Sequence, residues 1–325
     1  MKQVSRRRRR SIIPALVLWV ICSCSDSNQE RIEQPPFANL PVVHQFPAWS
    51  FGGDSLYYVD RGVTRINPGG GYSTDPDSSG LWIVSRNGPG ARMVWRWDQF
   101  FTYAISPDGI AISMAIARNL YVGTFVSGRL NAATFDRLTS IGGVANPSWA
   151  PSVDWIAFDS NYNDPRGAQA VWKIQTDGMG LVDLSVHGLG EWLEPSWDPT
   201  STKLVYVRYV DDTPASEIFT MSADGTNSTR LTRNDVMDIS PEYSPNGAQI
   251  CYESYGKGGF KVWIMNADGS GQRILARGMM PTWSRDGSEI AFVAQTSDVK
   301  TNGTIWVARA DGSGSYQVTR SRLHN

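Results

Sequence analysis

One phrase repeated six times constrains this chain more than any other feature. Pro281-Thr282-Trp283-Ser284-Arg285-Asp286-Gly287 is its clearest copy. The same register returns at 241–247, with Tyr243 in place of Trp, at 195–201, 147–154 and 47–53, and in degraded form at 103–109. Each copy leads into a short apolar run: Leu56 to Val59, Ile110 to Ser113, Ile156 to Phe158, Leu204 to Val207, Ile250 to Tyr252 and Ile290 to Val293. A second run follows, as in Val171 to Ile174, Val262 to Met265 and the weaker Leu120 to Val122. Their length and composition predict strands. A turn glycine comes next, at 88, 128, 178, 225, 269 and 312, and Asp precedes it in the last four units. Asp-Gly between apolar runs is a strong hairpin signal, because the backbone there must reach positive φ. A final short strand such as Arg230-Leu231-Thr232 ends each unit.

The turn glycines are 40, 50, 47, 44 and 43 residues apart. Four strands at that period predict an all-β fold, a six-bladed β-propeller of four-stranded blades over residues 43–320, followed by a tail at 321–325. No blade can bury both of its faces alone, so each packs on the next and chain length follows blade number. Trp49, Trp149, Trp197, Tyr243 and Trp283 occupy one repeat position each. They read as packing between blades rather than as a sugar-stacking array.

The N-terminus has a different character. Lys2 and Arg6 to Arg10 precede a ten-residue apolar run, Ile12 to Ile21, and the small Ser23 stands before a cysteine. This is the pattern of a secretory signal peptide, over residues 1–23, and the run is too short to span a bilayer, which takes ~20 residues. Ile21-Cys22-Ser23-Cys24 resembles the bacterial lipobox, which implies that Cys24 is the lipidated first residue and the membrane anchor. Ser25 at the next position implies, by the same resemblance, an outer-membrane lipoprotein of the cell envelope. Residues 24–42, rich in Ser, Asn, Gln, Glu and Pro, read as a flexible linker. Removal of residues 1–23 leaves 24 basic residues against 31 acidic, a net charge of −7, which argues against a nucleic-acid partner. Cys251 is then left without a cysteine to pair with.

The P-x-W-S-x-D-G openings, the aliphatic-Ala-Phe strands and the Ala-Asp-Gly turns resemble the TolB-like propeller repeats, related to WD-type propellers. That resemblance covers residues 43–320 and implies the propeller fold; it implies much less about function.

No catalytic residue is visible. Cys251 lies in an apolar strand with nothing nearby to activate it, and G-x-S-x-G and P-loop motifs are absent. Only His44 and His187 stand in the body apart from His324, which excludes metal sites built on three or four histidines. Two oxygen-rich stretches, Asp75 to Gly80 and Asp159-Asn161-Asn163-Asp164, would suit calcium as a cofactor, but a solvated insertion is the better reading of the first because Arg86 stands where a bidentate Glu is required.

Short repeated turns form one side of the expected ring, and longer variable loops form the other. Trp95 and Trp97 on one link, with His187, Glu191, Trp192 and Glu194 on another, give the loop face an aromatic and acidic character suited to a protein or envelope glycan. The function expected first is therefore non-catalytic binding through that face. Its alternative is a glycan-active hydrolase or lyase with Glu194, Glu242 and Glu253 as carboxylates at the channel mouth.

Overall fold

The structure, a computed structural model, describes residues 44–66, 72–87, 90–96, 102–130, 132–165, 167–185, 190–210, 215–298 and 302–320. Six blades follow one another along the chain. Blade 1 contains β1 (His44–Trp49), β2 (Ser55–Asp60), an inserted hairpin of β3 (Val63–Ile66) and β4 (Tyr72–Thr74), then β5 (Gly80–Ser85) and β6 (Arg92–Arg96). Blade 2 contains β7 (Thr102–Ile105), β8 (Ala111–Ile116) and β9 (Asn119–Val126), with its outer strand split into β10 (Arg129–Leu130) and β11 (Asp136–Arg137). Blade 3 is β12 (Ala145–Trp149), β13 (Trp155–Ser160), β14 (Ala170–Gln175) and β15 (Val182–Asp183). Blade 4 is β16 (Trp192–Trp197), β17 (Lys203–Tyr209), β18 (Ser216–Ser222) and β19 (Thr229–Arg230). Blade 5 holds β20 (Met237–Tyr243), β21 (Gln249–Gly256), β22 (Gly259–Asn266) and the first half of β23 (Arg273–Trp283). The second half of β23 pairs with β24 (Glu289–Ala294) and opens blade 6, which β25 (Ile305–Arg309) and β26 (Ser315–Gln317) complete.

The repeated phrase spans a strand end and a turn. Its Pro-x-Trp closes the innermost strand of the blade, and its Ser-x-Asp-Gly turns the chain into the second. In blade 6 the Ser284 hydroxyl donates to Asp286 (2.7 Å) and Gly287 N–H donates to Ser284 O (2.9 Å). Gly287 sits at φ 70, which explains glycine at this place in four copies. The closing Arg-Leu-Thr, or Gln-Val-Thr in blade 6, is an edge clip: the hydroxyls of Thr139, Thr232 and Thr319 accept from the N–H of Leu120, Ile218 and Ile305 at 2.8–2.9 Å.

The core lies between blades. Leu193, Val205 and Val207 of blade 4 pack with Ile239, Tyr243 and Tyr252 of blade 5, all fully or nearly buried. The ring closes in the same way, Trp49, Leu56 and Tyr58 of blade 1 meeting Met279, Val293 and Val307 of blade 6. Each aliphatic side chain so buried contributes ~1.5–3 kcal/mol. At the closure His44 N–H donates to Gly303 O (2.8 Å), and its Nδ1 lies 2.8 Å from Thr319 Oγ1.

Strand direction sorts the connections. The turns after each first and third strand share one side and are tied together, as by Ala310 N–H to Ser288 O (2.9 Å). The links into each blade and the loops after each second strand share the other.

Candidate functional site

The innermost strands surround a central channel of about 410 Å³, lined by residues from all six blades. Five of these strands carry a bulge at one place, just before the repeat proline. Phe46, Asn146, Glu194, Ser240 and Met280 stand there with φ between 47 and 54. That is left-handed backbone on non-glycine residues, and a following proline ordinarily favours extended backbone at the residue before it. Such a residue costs about 1–3 kcal/mol unless its surroundings enforce it.

The preceding blade enforces it. The Asn146 N–H donates to Thr102 Oγ1 of blade 2 (2.8 Å), Glu194 N–H to Asp159 Oδ1 of blade 3 (3.0 Å), and Ser240 N–H to Glu194 Oε2 of blade 4 (2.6 Å). Met280 N–H donates to Glu253 Oε2 of blade 5 (2.7 Å), and Phe46 N–H to Met280 Sδ of blade 6 (3.4 Å). Every bulge amide is thus held by a side chain from the blade behind it. Blade 2 has no bulge, and there Tyr103 donates its hydroxyl to Phe46 O instead (2.7 Å). Three residues beyond the bulge, the recurring aromatics add a second row of joints. Trp49, Trp149 and Trp283 donate their ring N–H to Thr282 O, Ala104 O and Glu242 O of the neighbouring blade at 3.1–3.4 Å.

Burial dominates the electrostatics of the carboxyls in these joints. It raises Glu194 and Glu242 to about 7 and Glu253 to about 8, partly offset by the amides they accept. Asp159 rises to about 6 for the same reason, and Glu191 to about 7, with Asp159 and Asp164 adding like-charge repulsion. Burial disfavours the charged form, so Glu253 keeps its proton at neutral pH, Glu191, Glu194 and Glu242 share the change there, and Asp159 ionises just below it. Cys251, fully buried against Glu242, has its thiol pushed well up, which makes it an inert core group.

The residues singled out from sequence separate into three groups. Glu194 and Glu242 do line the channel, and Glu253 sits behind it, but each is engaged in joining blades; Glu242 Oε1 accepts Trp283 N–H at 3.2 Å. Trp192 is no exposed loop anchor, because it begins β16 at 1% exposure and stacks on Tyr206 with ring centroids 4.8 Å apart. Trp95 packs on Phe135 at 5.2 Å, so it belongs to the seam between blades 1 and 2, and Glu191 stands half-buried just before β16. Trp97 and His187 lie outside the described residues, as do Cys24 and the whole linker. In the first oxygen-rich stretch Asp75 Oδ1 accepts Asp77 N–H (3.0 Å), and in the second Asp159 is fully buried in the blade 3–4 joint. Among the described residues no group of three or more His, Cys, Asp or Glu is arranged to hold a metal ion. Sequence reading missed the bulge-capping roles of Thr102 and Met280, although both stand just before the repeat proline position, which Tyr103 and Pro281 fill.

Comparison with known proteins agrees with this geometry. The TolB beta propeller domain family matches residues 188–325. An uncharacterized protein of Agrobacterium fabrum is 24% identical over 73% of this chain and 79% of its own length. The Tol-Pal system protein TolB of Gluconobacter oxydans is 35% identical, over 25% of this chain and only 17% of its own. The crystal structure of TolB from Acinetobacter baumannii superposes with a TM-score of 0.64 at 17% identity, covering 85% of this chain and 67% of that one. Among the described residues this chain is a six-bladed β-propeller with the fold seen in TolB, and its second half matches the TolB beta propeller domain.

Proposed function

We propose that the protein is a non-catalytic, lipid-anchored component of the bacterial envelope, attached to the outer membrane through Cys24, whose propeller binds a protein or an envelope polymer. The observation that carries the binding reading is the use made of the channel groups. Glu194, Glu242 and Glu253 each accept a backbone N–H of the next blade, so their geometry serves closure of the ring. A rigid ring of this kind presents loops and turns without itself needing to move. Mass analysis of the mature N-terminus in the native host tests the anchor: an acylated Cys24 is the expected result, and Cys24→Ala should release the protein from membranes. An unmodified Cys24 contradicts it.

The glycan-active alternative rests on one observation, the carboxyls held protonated near neutral pH, which is the state a general acid needs. It requires turnover of an envelope oligosaccharide that Glu194→Gln abolishes in a protein that still folds. Absence of turnover across a panel of such substrates removes it.

A further inference from the structure

The second residue of the turn after each innermost strand is Pro107, Pro151, Pro199 and Pro245 in blades 2 to 5, but Phe51 in blade 1 and Arg285 in blade 6. The two departures meet. The Arg285 guanidinium lies 4.7 Å from the Phe51 ring centroid and donates to Pro107 O of blade 2. Three places further along the same turn stand Asp54, Asp154, Thr202, Ala248 and Ser288, against Ile110 in blade 2. Phe51, Ile110 and Val126 are 57%, 60% and 55% exposed. They adjoin one another: Phe51 lies so close to Gly109 that a Cβ there would sit 2.5 Å from its own Cβ, and Ile110 O accepts the N–H of Phe125, next to Val126 (2.9 Å). Repeat positions keep their residues where packing demands it, and here the repeat is broken by side chains that pack little. Exposed apolar and aromatic groups beside arginine are characteristic of the centre of an interface.

Charge suggests what would cover them. Asp54 and Asp108 accept hydrogen bonds from Ser50 and Ser106 of their own turns, a turn-closing use that recurs at Asp286 with Ser284. Two arginines here depart from the repeat, Arg285 over Phe51 and the exposed Arg129, while Arg92 reaching Gly128 O (3.0 Å) has a counterpart in Arg273, which donates to Ala310 O of the next blade. His44 begins β1 at the other side of the ring, where it meets Thr319.

We propose that the short-turn side of the seam joining blades 6, 1 and 2 is where a partner protein docks, through a segment that sets an apolar side chain beside a carboxylate. This deepens the binding role proposed above and does not depend on the lipid anchor.

The test uses the full-length protein in membranes of its host, with the photoreactive residue benzoylphenylalanine at position 110 or, on the loop side, at position 235. The expected result is a protein adduct from position 110, mapped to an acidic and apolar partner segment. Arg285→Glu or Val126→Asp should lower its yield at least about tenfold while thermal melting stays that of wild type. Adducts from position 235 alone overturn the surface and leave the binding role standing; no adduct from either position overturns both. An adduct at 110 with lipid, glycan or a second copy of this chain, or a yield indifferent to Arg285→Glu, overturns the stated partner chemistry.

Discussion

Blade 4 keeps the Pro-x-Trp of the repeat and blade 2 has lost it, yet both pair their strands in the same order. In blade 4 the chain bulges at Glu194, runs through Pro195 and ends β16 on Trp197. In blade 2 the matching residues are Thr102, Tyr103 and Ile105, and β7 pairs with β8 in unbroken register from Thr102↔Ala115 to Ile105↔Ile112. The sheets therefore need only their apolar strands. What differs is the joint on each side. Glu194 is both a strained residue held by Asp159 and the acceptor that holds Ser240, whereas Thr102 holds Asn146 and is itself unstrained. The repeated phrase thus encodes the attachment of one blade to the next rather than the blade itself.

The largest effect expected from this difference is at Trp192. Truncation to Ala removes a buried ring stacked on Tyr206 inside blade 4 and should cost ~3–5 kcal/mol in urea unfolding. A loss below ~1 kcal/mol would mean that the ring is not packed as described. Glu194→Ala comes next, since it leaves the Ser240 N–H buried without an acceptor and should cost ~1–3 kcal/mol. The matching change in blade 2, Thr102→Val, removes a neutral acceptor from an unstrained strand and should cost about 1 kcal/mol. If Thr102→Val proves the more damaging of the two, the contrast between the blades fails. Smallest is Ser270→Ala on an exposed turn, where the stability change should stay within about 0.5 kcal/mol.

Blade number, strand order, the two faces and the buried role of the recurring aromatics could all be read from the sequence, because each is written several times and averages over local noise. The candidate site was harder to read. Trp192 looked like a loop residue because the strand before Pro195 is short of repeat signal, and the bulge that lets β16 begin two residues before Glu194 has no residue signature of its own. Glu253 and Asp159 stand in second strands at the place that Val59, Val207 and Val293 take in other blades. That substitution of acid for valine was visible, but its meaning required the neighbouring blade, whose bulge amide is distant in sequence. Likewise Phe51 and Arg285 are the two extremes of the chain's repeat and become neighbours only when the ring closes.

The central claim is that buried, protonated carboxyls join the blades around the channel, and stability as a function of pH tests it most directly. Burial raises Glu194 and Glu242 to about 7 and Glu253 to about 8 in the folded protein, while the unfolded chain loses those protons near pH ~4.3. Between these limits the folded state binds more protons than the unfolded, so the stabilisation is complete below the lower limit and is lost as pH rises through 7 to 8. The turn aspartates Asp108, Asp268 and Asp286 shift downward and titrate below that window. Urea unfolding of the full-length protein from pH 5 to pH 8 should therefore show falling stability, with a shallower fall in Glu253→Gln. A wild-type stability that is flat or rises across this range, or a Glu253→Gln protein with an unchanged slope, would contradict the account.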